Sequence, residues 1–543
     1  MAGAVPAGRS LVFRMLPSRA AGRRRRAAAA ILACALLGLP KPAGARPHEP
    51  PSLVVLFVID QMRPDYFTRY GELPGGLGRL HRSGAVYPRA LQDHAITHTA
   101  PGHSTLLSGR PPASTNILTN DLGVGDTTTA LLEVGGSGAS PRRFRGTALY
   151  DWMLAADSGA RVLSVSRKDR GAILPVGRAR APVYWFSRGQ FTTSTWYADS
   201  LPAWVRAWNG RGGVRSLAGR AWRPLLPDSA YAEPDSMAYE HRGRDFQFPH
   251  WLPADSAGVA GAITYVPWMD SLTLDFALEG VHALRLGRRT RPDLLVVSLS
   301  TTDAIGHRYG PDSREQHDQI VRLDRWLGWF LDSLAAAVPP ERTIFALSAD
   351  HGVAPMAERS APAGGRVSLD SVVRPFRRAI AAAYGGTMGV DFDSGLLSAD
   401  VSALRERGVD TGRLADSLAR VMAGQPRIAK VYTPRSLAQA PASDPYARRW
   451  RRHLPRDHEW LVAVVPSAGW VWGGAGEAHH GTMQADNVTV PIVIAGPGVR
   501  HGIYPRAVRT TDIGPTLAAM LGVRPMEATD GRPLREAFGP GAR

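Results

Sequence analysis

Six side chains suited to binding metal ions are spread along the chain: Asp60, Asp303, His307, Asp350, His351 and His480. Asp303 and His307 stand four residues apart in Asp303-Ala-Ile-Gly-His307. One helical turn, or a loop entering one, brings that carboxylate and imidazole toward a single point. Asp350 and His351 are adjacent, Asp60 adds a third carboxylate, and His480 a late imidazole. Carboxylate and imidazole donors without thiolate suit zinc, and manganese or iron less well. Six such groups are too many for one tetrahedral zinc that keeps an open position. They suit two metals, each of which also takes a substrate or nucleophile oxygen. Two metals about 3.5–4 Å apart can clamp the attacking and leaving oxygens of an in-line displacement. Taken singly, an aspartate after a strand is more often a helix cap, and a lone histidine more often structural. It is the whole set, in this order, that points to metal binding.

A hydroxyl and three polar groups complete the chemistry. Thr99 lies in Thr97-His98-Thr99-Ala100-Pro101-Gly102-His103-Ser104, just before the apolar Thr105-Leu106-Leu107. This reads as a loop entering a helix, whose amino end offers free N–H groups and a positive dipole end to a phosphoryl oxygen. Thr99 is either a plain N-cap or a nucleophile activated by a metal. Asn120, in Leu118-Thr119-Asn120-Asp121, is a turn residue or a donor to a non-bridging oxygen. Lys168 and Arg170, in Lys168-Asp169-Arg170-Gly171, are two cations that could hold a dianion, or else surface charge.

Strands must deliver these groups to one place. Ser52–Ile59 is a continuous apolar run that ends at Asp60 and reads as a buried parallel strand. Asp293–Ser300 has the same character and leads to Asp303; Thr343–Ser348 leads to Asp350; Val490–Ala495 follows near the carboxyl end. A strand-like Arg161–Ser166 precedes Lys168, and helical patterns such as Ser313–Ala337 and Ile513–Leu521 lie between the runs. The alternation predicts an α/β fold: a doubly wound, mostly parallel central sheet flanked by helices. Ligands of open α/β sheets bind outside the carboxyl ends of the strands, where three of these runs place an acid. Two stretches break the pattern. Residues 180–260 are rich in Trp, Pro, Arg and Gly. Residues 360–478 begin Pro/Gly-rich and have a basic middle. Both read as cap-like insertions over the active-site edge.

The formal net charge of +18 overstates the body of the protein. Residues 1–45 hold eight basic residues and no acid, which leaves 57 basic against 47 acidic residues, or +10. The cluster Arg448, Arg449, Arg451 and Arg452 reads as a solvated face; no nucleic-acid-binding motif accompanies it, and no nucleic-acid partner is expected. Residues 1–45 read as a signal peptide. Arg23–Arg26 form the positive region, Ala27–Leu39 the apolar region and Ala43-Gly44-Ala45 a small-residue cleavage site. The apolar run falls short of the ~20 residues a membrane span needs, so the mature chain is expected to have no span and to be periplasmic or secreted. An uncleaved anchor, or lipidation at the single cysteine, Cys34, are the weaker readings. Residues 46–543 are expected to form one catalytic domain.

These segments resemble the alkaline phosphatase superfamily, most closely its PafA-type, phosphate-irrepressible members. The resemblance is carried by VVLFVIDQMRPDY (Val54–Tyr66), THTAPGHSTLLSGRPPA (Thr97–Ala113), LTND (Leu118–Asp121), SVSRKDRGAILPVG (Ser164–Gly177), STTDAIGHRYGPDS (Ser300–Ser313), SADHG (Ser348–Gly352) and HHGT (His479–Thr482). It implies two zinc ions per chain, one held by Asp303, His307 and His480 and the other by Asp60, Asp350, His351 and Thr99. It also implies attack by Thr99 on phosphorus, a phosphothreonine intermediate, and non-bridging oxygens held by Asn120, Lys168 and Arg170. Two adjacent histidines compete for one ligand position; His480 is preferred to His479 because it directly precedes Gly481-Thr482. Thr99-Ala-Pro101-Gly-His103 departs from the Cys/Ser-x-Pro-x-Arg motif of sulfatases, which argues against that activity. Nucleotide pyrophosphatase/phosphodiesterases share the threonine and the asparagine, and as a group lack the Lys-x-Arg pair. Lys168 and Arg170 therefore favour small phosphate monoesters as substrates, with diester hydrolysis as the runner-up and a non-catalytic zinc-binding relative as a more distant alternative.

Overall fold

The computed structural model describes residues 50–360, 364–384 and 390–539. Residues 1–45, read above as a signal peptide and holding Cys34, lie outside the described residues.

Ten strands form one sheet: β1 (Leu53–Ile59), β2 (Ala85–Leu91), β3 (Val162–Ser166), β4 (Val183–Ser187), β5 (Gln190–Thr192), β6 (Asp293–Leu299), β7 (Thr343–Ser348), β8 (Thr489–Ala495), β9 (Gly502–Ile503) and β10 (Val508–Arg509). Their spatial order is β9-β2-β8-β7-β1-β6-β3-β4-β5, with β10 also paired to β2. The five strands β7, β1, β6, β3 and β4 are mutually parallel. The run Val490–Ala495, within β8, is antiparallel to β7, and β5 is antiparallel to β4.

All seven residues of β1 are buried, as a strand covered on both faces requires. Each large aliphatic side chain buried there contributes ~1.5–3 kcal/mol. The helices that position the site and its walls are α1 (Gly76–Ser83), α2 (Thr99–Leu106), α3 (Asp169–Ile173), α4 (Trp268–Leu284), α5 (Thr301–Tyr309), α6 (Arg314–Ala337) and α7 (Ile513–Leu521). They lie on both faces, as the alternation of β3 shows. Leu163 packs against Gly280 of α4, whereas Ser164 donates to the Ala172 carbonyl of α3 at 2.6 Å. Phe57 of β1 likewise meets Phe330 of α6 edge-on at 5.7 Å. The fold is the doubly wound, mostly parallel sheet read from the sequence.

The register aligns the strand ends. Ile59 of β1 pairs with Leu299 of β6, and Val58 pairs with Ser348 of β7. Asp60, the turn into α5 and Asp350 therefore leave the sheet at one level.

The expected insertions need one correction. Val183–Ser187 and Gln190–Thr192, inside the stretch 180–260, are the last two strands of the main sheet. Their tight hairpin at Arg188-Gly189, with φ of 48° and 87°, joins two strands too short to show a clear period. Within 360–478, Val390–Asp393, Leu396–Ala399, Ile428–Tyr432 and Val462–Pro466 build a separate four-stranded antiparallel sheet with its own apolar core. Among the described residues no helix is long and apolar enough to cross a membrane.

Candidate active site

Three loops converge where β1, β6 and β7 end. Asp60 directly follows β1, Asp303 lies in the first turn of α5, and Asp350 and His351 follow β7. All four are buried. Glycine permits two close approaches. A Cβ on Gly102 would lie 2.1 Å from the Asp350 carbonyl oxygen, so glycine lets α2 bring Thr99 against the end of β7. A Cβ on Gly306 would lie 2.0 Å from Gln61 Oε1, so glycine lets α5 settle against the end of β1.

The donors fall into two groups. In the first, His307 Nε2 is 3.1 Å from His480 Nε2 and 3.2 Å from Asp303 Oδ1, and His480 Nε2 is 3.6 Å from the same oxygen. Each ring uses Nδ1 to donate to a backbone carbonyl at 2.7 Å, Ala478 for His307 and Thr97 for His480. In the second, His351 Nε2 lies 3.5 Å from Asp60 Oδ1 and 3.6 Å from Asp350 Oδ2. The two groups touch: the rings of His351 and His480 stack with centroids 3.7 Å apart.

Both groups fit a metal. Donors ~2.0–2.1 Å from a tetrahedral zinc stand ~3.3 Å from one another, which is the spacing seen here. Neutral His307 and His480, with their protons on Nδ1, point two lone pairs at each other, an arrangement a cation between them relieves. Among the described residues, Asp60 Oδ1 and His351 Nε2 are buried without a hydrogen-bond partner, a costly state for isolated polar atoms. The electrostatics of the second group agree, whereas in the first burial would lower His307 but the Asp303 carboxylate raises it. Burial, with the charges of Asp303 and Asp350, pushes the Asp60 carboxyl up to about 6 against the pull of Lys168. Burial lowers His351 to about 4, so it is a neutral, ligand-competent imidazole at pH 7.

Thr99 opens α2 and is buried. Its Oγ1 accepts from Lys168 Nζ at 3.2 Å. The amino end of α2 offers fewer free N–H groups than expected. Ala100 donates its N–H to Asn120 Oδ1 at 3.0 Å, and Pro101 has none. Asn120 therefore caps α2 and keeps only its Nδ2 for a ligand. Lys168 sits deeper than the sequence implied: Nζ lies 2.6 Å from Asp60 Oδ2 and 2.7 Å from Asp303 Oδ2. Arg170 opens onto the cleft and contacts Asp169 Oδ1 at 3.4 Å. His479 lines the cleft beside His307, ring centroids 6.0 Å apart, and its Nε2 has no partner. It is His480 that turns into the donor group.

Several site residues were not anticipated. Gln61, at φ 67°, donates its backbone N–H to Asp350 Oδ1 at 3.2 Å and its Nε2 to Asp303 Oδ1 at 2.9 Å, fixing one carboxylate of each group. His103 Nδ1 lies 3.1 Å from Asp350 Oδ2 and 2.9 Å from the Thr99 carbonyl, and its Nε2 meets Ser298 Oγ at 2.9 Å. Its place four residues after Thr99 was the available signal. His98 Nε2 meets Ser394 Oγ at 2.7 Å, which ties the 360–478 segment to the loop before Thr99.

A cleft of about 770 Å³ opens over Thr99, and an adjoining lobe of about 510 Å³ is lined by His98, Phe392, Ser394 and Trp472. Asn120, His307, His479 and His480 border both. A protein-family model described as type I phosphodiesterase / nucleotide pyrophosphatase matches residues 54–474, more than half of the chain and all ten residues named above as candidate donors or clamps except His480. The chain belongs to that family. It is a family of phosphoric ester hydrolases within the alkaline phosphatase superfamily. The chain is 28% identical to alkaline phosphatase PafA of Elizabethkingia meningoseptica, over 90% of this chain and 95% of that protein. It is also 28% identical to alkaline phosphatase PhoV of Synechococcus elongatus, over 90% and 92%. A crystal structure of PafA superposes with a TM-score of 0.83 at 26% identity, covering 90% of this chain and 99% of that one.

Proposed function

We propose that this protein is an exported, two-zinc phosphatase that hydrolyses phosphate monoesters of broad structure through a phosphothreonine at Thr99. The observation that carries the proposal is the position of Thr99 Oγ1, on the buried end of α2 and 3.2 Å from Lys168 Nζ, beside two donor groups at metal-ligand spacing. The relatives named alkaline phosphatase support it, and the leader read in residues 1–45 supports export.

Asp303, His307 and His480 would hold one zinc, and Asp60, Asp350, His351 and Thr99 the other. When bound, the two ions supply positive charge to the entering and leaving oxygens and lower the pKa of the Thr99 hydroxyl. The chain's own residues do the rest. Gln61 and His103 fix the carboxylates that face Thr99. Thr99 Oγ1 attacks phosphorus: its O–P bond forms as the ester O–P bond breaks, and the alcohol departs. Arg170 and the Nδ2 of Asn120 hold non-bridging oxygens, with donors preset for the charge of the transition state. Lys168 supplies a further positive charge beside Oγ1. Water then attacks the same phosphorus, releases phosphate and restores Thr99.

Diester hydrolysis is the second reading. The observation in its favour is that Lys168 Nζ is engaged by Asp60 and Asp303 and so has less to offer a dianion. The first test of the proposal is Thr99→Ala. It is expected to abolish turnover while zinc stays near two per chain; full retained activity would remove Thr99 from its role.

A further inference from the structure

The cleft carries more positive charge than one phosphoryl group uses. Five Lys and Arg side chains line it: Arg167, Lys168, Arg170, Arg244 and Arg308. Lys168 is neutralised by Asp60 and Asp303, Arg170 contacts Asp169, and Arg167 reaches the Ser300 carbonyl at 3.5 Å. Arg244 and Arg308 have no carboxylate within ion-pair distance among the described residues. The cleft's outer acid, Glu477, is taken by Arg242 at 2.8 Å.

Arg308 is held in place, whereas Arg244 is an exposed side chain on a supported backbone turn. Arg308 lies over the Tyr265 ring, 3.5 Å from its centroid. Stacking fixes the guanidinium plane; Arg308 also bonds the Tyr309 hydroxyl, and its remaining N–H groups are left for an anion contact. Arg308 and His307 of α5 line the same cleft, so one small molecule can span from the donor group to Arg308. Arg244 ends a turn in which His241, Arg242 and Gly243 have φ of 46°, 57° and 74°, with Asp245 at 46° beyond it. Two non-glycine residues in succession in the left-handed region are costly and need outside support. The support comes from the segment before His480: Arg242 N–H donates to the Gly476 carbonyl at 3.0 Å, and Arg242 pairs with Glu477. On the other side, His250 holds Asp245 at 3.2 Å.

We infer that Arg244 and Arg308 form a second anion subsite at the leaving-group end of the cleft, so that preferred substrates are monoesters whose leaving group itself carries a phosphate. The inference rests on the monoesterase reading above and adds a substrate class to it.

The test compares kcat/KM for glucose 1,6-bisphosphate, glucose 6-phosphate and phenyl phosphate, in the zinc-loaded wild type and in an Arg244→Ala, Arg308→Ala double variant. The wild type should favour the bisphosphate over the matched monophosphate by about tenfold at low ionic strength, with the gap closing as salt is raised. The double variant should lose that preference and change by less than about threefold on phenyl phosphate. No preference in the wild type, or an equal loss on all three substrates in the variant, would overturn the inference and leave the monoesterase reading standing. Failure of the wild type to hydrolyse any of the three would overturn both.

Discussion

The Nε2 atoms of His307 and His480 face each other at 3.1 Å, while both Nδ1 atoms are committed to backbone carbonyls. Two histidines anchored in this way cannot satisfy each other as neutral rings. With Asp303 Oδ1 at 3.2 and 3.6 Å they form three corners of a tetrahedron. The backbone bonds set ring orientation and tautomer, the usual task of outer partners at metal sites.

His480→Asn should lower zinc from about two to about one per chain and stop turnover, whereas His479→Asn should keep both ions. Metal content by mass spectrometry after dialysis against buffered zinc is the check. Loss in His479→Asn with retention in His480→Asn would show that the pair had been assigned the wrong way round, and equal losses that His480 is not the sole ligand of the two. Chelation of the wild type should abolish hydrolysis, and zinc should restore it.

Lys168→Ala with Arg170→Ala should harm monoester cleavage far more than diester cleavage. Each charge-assisted contact is worth ~1.5–3 kcal/mol, so the pair should cost about 10²–10⁴ in kcat/KM for the monoester. Equal losses on both substrates would mean that these cations do not read the extra charge of a monoester.

The wall beside the cleft should loosen at alkaline pH. Burial, then the charge of Glu315, pushes the Glu240 carboxyl up to about 9 from 4.5. Burial alone would lower His250, yet its bonds to Asp245 and Glu315 raise it to about 9 from 6.5. Between pH 6.5 and about 9 the folded chain keeps two protons that the unfolded chain has shed. Stability therefore falls as pH rises through that window, by about 1.4 kcal/mol per proton per unit. Calorimetry from pH 6.5 to 9 should show Tm falling, with a shallower slope in Glu240→Gln. An identical slope in the variant would show that Glu240 does not hold its proton.

What was legible in the sequence follows from physics local to each segment. β1, β6 and β7 are buried on both faces, so their runs carry almost no polar residue, and the acid after each marks the strand's end. Other features depend on partners far along the chain. Nothing within Val490–Ala495 sets its direction, which follows from the path through the 360–478 segment. Gln61 reads as an ordinary turn residue until β6 and β7 bring Asp303 and Asp350 beside it. Lys168 reads as a clamp for a dianion or else as surface charge; its engagement by Asp60 and Asp303 is not legible because those partners follow β1 and open α5, far along the chain. In the sequence, His480 is preferred to His479 only for its place before Gly481-Thr482; the geometric basis, His480 Nδ1 anchored on the Thr97 carbonyl with Nε2 toward His307, depends on a segment far along the chain.

The central claim, monoester hydrolysis at Thr99, is tested most directly by kcat/KM of the zinc-loaded protein for phenyl phosphate and methyl phenyl phosphate, which share one leaving group. The monoester should be favoured by about 10² or more, and Thr99→Ala should abolish its hydrolysis. A diester cleaved as fast as the monoester, or faster, would contradict it.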